Sequence, residues 1–321
     1  MRAIQVSEHG GPEVLHYVEV PDPTIEAGQL LVEVQASGVN FIDTYIRTGR
    51  YPQAVPYIPG GEASGVVTEV GANVTEFAVG DRVAWASAPG SYAERVAVPA
   101  EVAIKVPDGV EPPVAASALL QGMTAHYLLE SIYTPEPGET VLVHAGAGGV
   151  GLILTQLAVA RGARVITTVS SDDKEKLSRE AGATEVLRYG DELADEVRTL
   201  TDGVGVAAVY DGVGASTFEA SLRALRVRGM LALFGAASGP VPPFDLQRLN
   251  GAGALFVTRP SLAFYTRDRA ELLWRANDIF TAVADGSLRI RIGATYPLAE
   301  AEQAHRDLES RKTTGSIVLL P

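Results

Sequence analysis

Gly146, Gly148 and Gly151 fall at the spacing G-x-G-x-x-G, with Ala147, Gly149 and Val150 between them. The apolar run Val141-Leu142-Val143-His144-Ala145 comes directly before this loop and suits a strand buried on both faces. Leu152 to Arg161 follows as good helix-forming sequence, Gly162 ends it, and Ala163 to Val169 reads as a second strand. In a strand–turn–helix–strand unit each glycine has a job: the tight turn, close backbone approach to a pyrophosphate, and close packing of helix on strand. The helix start also leaves N–H groups without helical partners, which suit phosphate oxygens. Thr140 to Ser171 therefore predicts a dinucleotide site, with Gly146, Gly148, Gly149, Val150 and Gly151 around the pyrophosphate.

The end of the second strand bears on which dinucleotide is bound. An NAD site usually has Asp or Glu there, accepting from the ribose 2′-OH. This strand instead ends Val169-Ser170-Ser171, without a carboxylate. Asp172 and Asp173 come one step later, where they open the next helix as caps with a favourable dipole interaction. Lys174 brings a cation into the first turn, and Tyr189 ends the next strand region. The strand end therefore lacks the usual NAD signature, while Lys174 by itself reads as a solvated charge.

The elements around this unit alternate. Asp172 to Ala181, Asp191 to Leu200, Asp268 to Ala284 and Ala299 to Leu308 read as helices. Glu185 to Leu187, Val204 to Tyr210, Leu231 to Phe234, Ala254 to Val257 and the final Ser316 to Leu320 read as strands. Such alternation predicts a doubly wound parallel sheet covered by helices. The first part differs: Ala3 to Val6, Leu15 to Val20, Leu30 to Val39, Ala63 to Val70 and Arg82 to Ala86 are β-type segments between Gly/Pro turns. Phe41 to Arg47 is a helical turn, and Pro113 to Ser131 is helical sequence leading into the glycine loop. The tail is too short for a domain, so it is expected to rejoin the N-terminal part.

Composition narrows the function classes. A chain of 321 residues, 46% of them hydrophobic, has room for about two folded domains. Lys+Arg 26 against Asp+Glu 39 gives a net charge of −13, a poor match to nucleic acid or anionic membranes. With no cysteine there are no disulfides or thiolate metal sites, and a cytoplasmic home is the expectation. No apolar run approaches a membrane span, and no secretory signal is visible. No Ser/His/Asp or Cys/His arrangement for covalent catalysis is evident. His9, His16, His126, His144 and His305 show no metal-binding spacing and read as structural.

Several segments together resemble the zinc-free quinone oxidoreductases, the zeta-crystallin-like branch of the medium-chain dehydrogenase/reductase superfamily. They are Gly38 to Tyr45, Gly60-Gly61-Glu62-Ala63-Ser64-Gly65, Gly80-Asp81-Arg82-Val83, Ala145 to Gly151, Tyr210 to Gly214, Phe256 to Ser261, and Glu309-Ser310-Arg311 with Gly315-Ser316. The resemblance implies a Rossmann domain, residues 124–260, inserted into a GroES-like β-barrel domain, residues 1–123 plus 261–321, with the active site in the cleft between them. It implies a homodimer built on the edge strand near Ala254–Thr258. Positions matching Ser171, Lys174, Tyr189 and Arg311 receive the 2′-phosphate side of NADPH in that family. Zinc relatives carry Cys where this chain has Asn40 and His where it has Gly61, so the resemblance implies a site without metal. Glu62 persists from those relatives and reads as a structural hydrogen-bond acceptor.

Hydride transfer needs a dry pocket and donors for the oxygen that gains charge. Asn40, Tyr45 and Tyr51 are the polar residues of the matching segment that suit this role. Gln121 and Thr124 are candidates for the carboxamide or substrate. Gly235 and Ser238 lie just after a strand expected beside the nicotinamide. The implied activity is reduction of a quinone by NADPH. Reduction of the C=C bond of enals or enones, and a non-catalytic NADPH-binding role, stand as alternatives.

Overall fold

A computed structural model describes all 321 residues, Met1 to Pro321. The chain divides into two compact units, Met1–Met123 with Thr266–Pro321, and Thr124–Tyr265.

The second unit is built on a six-stranded parallel sheet. Its strands lie in the order Glu185–Arg188, Arg164–Val169, Thr140–Val143, Val206–Asp211, Leu225–Leu233, Phe256–Thr258. Counted along the chain, that order is third, second, first, fourth, fifth, sixth. It reverses beside Thr140–Val143, the topological switch point where ligands of doubly wound sheets bind. The glycine loop leaves the sheet at this place. Val141, Leu142 and Val143 are fully buried, as a central parallel strand requires. Leu142, Ile166, Val209 and Leu231 share a core with Leu193, Val197, Phe218 and Leu222 from the covering helices.

The first unit carries a seven-stranded, mainly antiparallel sheet. Gln29–Val39 is its centre, pairing with Glu62–Val70, Arg95–Pro99 and the C-terminal strand Ser316–Leu320. The last strand lies antiparallel to the central one, with Ile317 opposite Val39, so the tail completes this sheet. Leu30, Val32, Val67, Val83, Trp85 and Val98 form its core.

Three strands and two helices lie outside the expected elements, and one of these helices, Gln247–Gly251, is only five residues long. Arg95–Pro99 and Ile104–Lys105 are short, and Ile292–Pro297 contains a glycine and ends in proline. Phe218–Ala224 is a seven-residue helix directly followed by a strand. The Leu225–Leu233 strand begins six residues before the expected Leu231, because a bulge with Arg228 at φ +59 interrupts its alternation. The edge strand begins at Phe256 and not at Ala254, whose φ of +54 keeps it out of extended structure. The helix expected over Pro113–Ser131 is an α-helix over Pro112–Tyr127 with a π-helical turn over Leu128–Ile132.

Candidate active site

The three motif glycines have different neighbours. A Cβ on Gly146 would lie 2.6 Å from Thr167 Cβ and 2.7 Å from Ser178 Oγ, so this glycine lets the loop press on the second strand and the next helix. A Cβ on Gly151 would lie 2.2 Å from the carbonyl oxygen of Ala145. Gly148 alone faces outward: its Cβ would meet nothing nearer than Ala145 O at 3.2 Å. Gly148 is the N-cap of the helix Gly149–Ala160 and has no side chain to cap it. The first-turn amides of Gly149, Val150 and Gly151 therefore open on the end of the helix beside Gly148, an arrangement that fits a pyrophosphate.

A buried polar chain braces the base of this loop. Thr168 Oγ1 donates to His144 Nδ1 at 2.9 Å, His144 Nε2 donates to Ser221 Oγ at 3.0 Å, and Ser221 donates to Asp211 at 2.8 Å. Asp211 also accepts from Thr217 and from the amides of Val213 and Gly214. These roles follow from Asp211 having only acceptors, which makes Ser221 its donor and hence the acceptor for His144. Burial lowers the His144 pKa while the Asp211 charge opposes it, so the imidazole is neutral. His144 is structural, as its place beside the central strand suggests.

At the end of the second strand, Val169 pairs with Arg188, which puts Ser170 and Tyr189 just beyond neighbouring strand ends. Ser171 caps the helix Asp172–Glu180, accepting the Lys174 amide at 3.4 Å. Tyr189 is partly exposed, and its hydroxyl accepts the Ala145 amide. Arg188 was not singled out from sequence. It binds Asp172 at 2.7 Å and Glu175 at 2.8 Å, so Asp172 is occupied by a neighbouring cation. Arg311 belongs to the first unit, at φ +58 just past the helix Ala301–Glu309.

In the first unit, the helix Phe41–Arg47 is capped by Asn40, whose amide donates to Asp43 at 2.8 Å. The side chains of Asn40, Glu62 and Gln121 are buried together: Asn40 Nδ2 donates to Glu62 at 2.8 Å, and Gln121 Nε2 donates to Asn40 Oδ1 at 3.2 Å. Tyr45 and Tyr51 form a separate edge-to-face pair with centroids 5.6 Å apart, and the Arg50 guanidinium lies 4.6 Å over the Tyr45 ring. Both rings are partly exposed.

Three residues expected at the nicotinamide have structural duties. Gln121 is engaged by Asn40 and, at 2.7 Å, by Ser316. The Ser238 hydroxyl donates to Val213 O and accepts from the Ser216 amide. A Cβ on Gly235 would lie 2.4 Å from Gly212 O, so this glycine packs two loop backbones together. Thr124 is buried on the same helix as Gln121. Ser316, missed from sequence, is a hydroxyl at the head of an apolar strand, a buried polar position that needs a partner.

A second directed chain runs beneath Asn40. Arg47 donates to His305 Nδ1 at 2.8 Å, His305 Nε2 to Tyr92, and Tyr92 to Asp43 at 3.0 Å. Burial lowers His305 to about 3 and raises Asp43 to about 6. No group of three or more His, Cys, Asp or Glu side chains gathers as a metal site.

Comparison with known proteins joins these observations. The family model for the alcohol dehydrogenase GroES-like domain matches residues 26–108, and that for zinc-binding dehydrogenase matches residues 149–264. A Pseudomonas aeruginosa quinone oxidoreductase is 44% identical over 325 residues, covering 100% of this chain and 99% of the relative. The chain belongs to the quinone oxidoreductase family. Within the medium-chain dehydrogenase/reductase superfamily it thus combines a GroES-like domain with a Rossmann domain. A mycobacterial protein solved in complex with NADPH is 57% identical, with a TM-score of 0.98 and full coverage of both chains. A Burkholderia 2-haloacrylate reductase is also 41% identical, over 99% of this chain and 98% of that relative. Quinone oxidoreductases and a 2-haloacrylate reductase are therefore both among its full-length relatives.

Proposed function

We propose that the chain is an NADPH-dependent quinone reductase that works without metal. The observation that carries this reading is the end-to-end identity with the Pseudomonas quinone oxidoreductase. The glycine loop fits the cofactor physically: its outward glycine and first-turn amides leave room and donors for a pyrophosphate.

When bound, NADPH supplies a hydride to the acceptor. The chain binds and orients. Gly146 to Gly151 hold the pyrophosphate, and Ser170, Ser171, Lys174, Tyr189 and Arg311 recognise the 2′-phosphate. Thr124, Gly235 and Ser238 are assigned to the nicotinamide end, Gly235 and Ser238 by shaping its loop. Asn40, Tyr45 and Tyr51 are assigned to the acceptor: their N–H and O–H groups meet the oxygen that gains charge, and the tyrosine rings give apolar area for a flat substrate.

A second reading, reduction of an activated C=C bond, is favoured by the 2-haloacrylate reductase relative. NADPH consumption against a panel of quinones and α,β-unsaturated carbonyls separates the two. Turnover concentrated on the quinones supports the first reading, and turnover confined to the carbonyls replaces it with the second.

The protein is further assigned as a cytoplasmic homodimer. Phe256–Thr258 is the outermost strand of its sheet, and Phe256 is 56% exposed. Pairing with a twofold mate would satisfy its free backbone edge. The absence of cysteine suits a reducing compartment, and no helix is long and apolar enough to cross a membrane. Sedimentation at micromolar concentration tests the dimer, and a monomer there would remove it.

A further inference from the structure

Asn40 is held by a hydrogen-bond chain that runs in one direction. Ser316 Oγ donates to Gln121 Oε1 at 2.7 Å, Gln121 Nε2 to Asn40 Oδ1 at 3.2 Å, and Asn40 Nδ2 to Glu62 Oε2 at 2.8 Å. The Leu120 amide donates to Glu62 Oε1 at 2.7 Å. All four side chains are buried. A Cβ on Gly38 would lie 2.6 Å from Glu62 Oε2, so the backbone beside the carboxyl is kept bare.

The direction has a chemical origin. A peptide N–H cannot be reversed by rotating a side chain, so Glu62 Oε1 must accept. An ionised carboxylate has no donor, so Oε2 accepts as well. Asn40 must then turn Nδ2 toward Glu62 and Oδ1 toward Gln121. One Nδ2 hydrogen is used, and the second is the remaining donor of that amide.

We propose that Glu62, Gln121 and Ser316 are positioning residues that fix the sense of the Asn40 carboxamide, so that it offers the quinone oxygen an N–H and not a lone pair. This rests on the reading that Asn40 meets the acceptor. Hydride arrival leaves negative charge on the acceptor oxygen, which an N–H stabilises and a carbonyl lone pair repels. Burial pushes Glu62 up to about 8, while the N–H groups of Leu120 and Asn40 pull it down. The ionisable group acting on it is Asp43, which raises it, and Glu62 in turn helps to raise the buried phenol of Tyr92. Below that value a proton on Oε2 becomes a donor facing Asn40 and turns the amide round.

The test uses the full-length protein at about pH 9, where Glu62 is ionised. Gln121→Glu alone puts carboxylates on both sides of the Asn40 amide and lowers the thermal midpoint. Combining it with Glu62→Gln re-pairs the chain in the opposite sense: Asn40 then donates to Glu at 121 and accepts from Gln at 62. The double variant is expected to recover thermal stability and wild-type NADPH affinity, yet to keep kcat with a quinone about tenfold or more below wild type. Wild-type kcat is expected to rise as pH passes through about 8, and that rise should be absent in Glu62→Gln. A double variant with wild-type kcat would overturn the proposal, and so would one no more stable than Gln121→Glu. Asn40→Ala separates the two layers. If it retains wild-type kcat, the assignment of Asn40 to the acceptor fails. If it loses kcat while the double variant does not, only the orientation role fails.

Discussion

The hydroxyl of Tyr189 accepts the peptide N–H of Ala145 at 3.0 Å, and the Tyr189 ring stacks on His144 with centroids 6.2 Å apart. Ala145 sits at φ +55, a left-handed conformation that is uncommon outside glycine. One side chain from the end of a different strand therefore holds the residue that opens the glycine loop. The residue assigned to the 2′-phosphate also braces the backbone assigned to the pyrophosphate.

Tyr189→Phe should consequently weaken both NADPH and NADH. It keeps the ring but removes the acceptor for the Ala145 amide, a loss of about 0.5–1.5 kcal/mol in loop order. Fluorescence titration of each nucleotide reads the effect. Unchanged NADH affinity would show that the hydroxyl does not support the loop.

Lys174→Ala should behave differently and discriminate between the nucleotides. NADPH binding is expected to weaken by about 1.5–3 kcal/mol, the range for a hydrogen bond to a charged group. NADH, lacking the 2′-phosphate, should bind almost as before. The NADPH loss should shrink as salt rises, because a partly exposed ion pair is screened. Arg311→Ala is expected to act in the same direction with a smaller effect. Equal losses for both nucleotides would make Lys174 a surface charge.

The motif glycines should separate binding from folding. Gly148→Val brings a Cβ to 3.2 Å from the Ala145 carbonyl oxygen, a much looser fit than at Gly146 or Gly151, and should leave a folded protein that no longer binds NADPH. Gly151→Ala drives a Cβ to 2.2 Å from Ala145 O and should lower the thermal midpoint by several degrees before any cofactor is added. Wild-type NADPH affinity in Gly148→Val would mean that the loop is only a turn.

Much of this was legible because local pattern and global position agree. The strand Thr140–Val143, the glycine loop and the Ser171 cap are each written in a few adjacent residues whose period or chemistry is distinctive. What stayed hidden depends on contacts distant in sequence. Ser316 and Gln121 meet across 195 residues, and Arg47 and His305 across 258. Neither pair leaves a mark on its own neighbourhood. Ile292–Pro297 is a half-exposed strand whose Gly293 and Pro297 speak against it locally, and its pairing with Ser316–Leu320 overrides them. The hydrogen bonds of Ser238 are equally silent locally, because its partners, Val213 and Ser216, lie on another loop.

Glu62 should make stability depend on pH in a definite direction. Burial raises its carboxyl from the ordinary 4.5 to about 8, so the folded state holds the proton more tightly than the unfolded chain. The stabilisation is complete below 4.5 and is lost as pH rises through about 8. Asp43, raised to about 6, acts the same way; His305, lowered to about 3, acts oppositely, and both remain in Glu62→Gln. Denaturant unfolding of wild type minus Glu62→Gln should therefore decline across that window. A difference that is flat or rises would show that Glu62 is ionised throughout.

Quinone-dependent hydride transfer from NADPH at the glycine-loop site, without metal, is the activity to be measured. Its most direct measurement is the initial rate of NADPH oxidation with 1,4-benzoquinone by chelator-treated wild-type protein, beside NADH and beside Gly148→Val. Rapid oxidation of NADPH with hydroquinone formed is expected, with much slower oxidation of NADH and none above background in Gly148→Val. Wild-type protein that leaves NADPH unoxidised in the presence of quinone, or that regains activity only when zinc is restored, would contradict it.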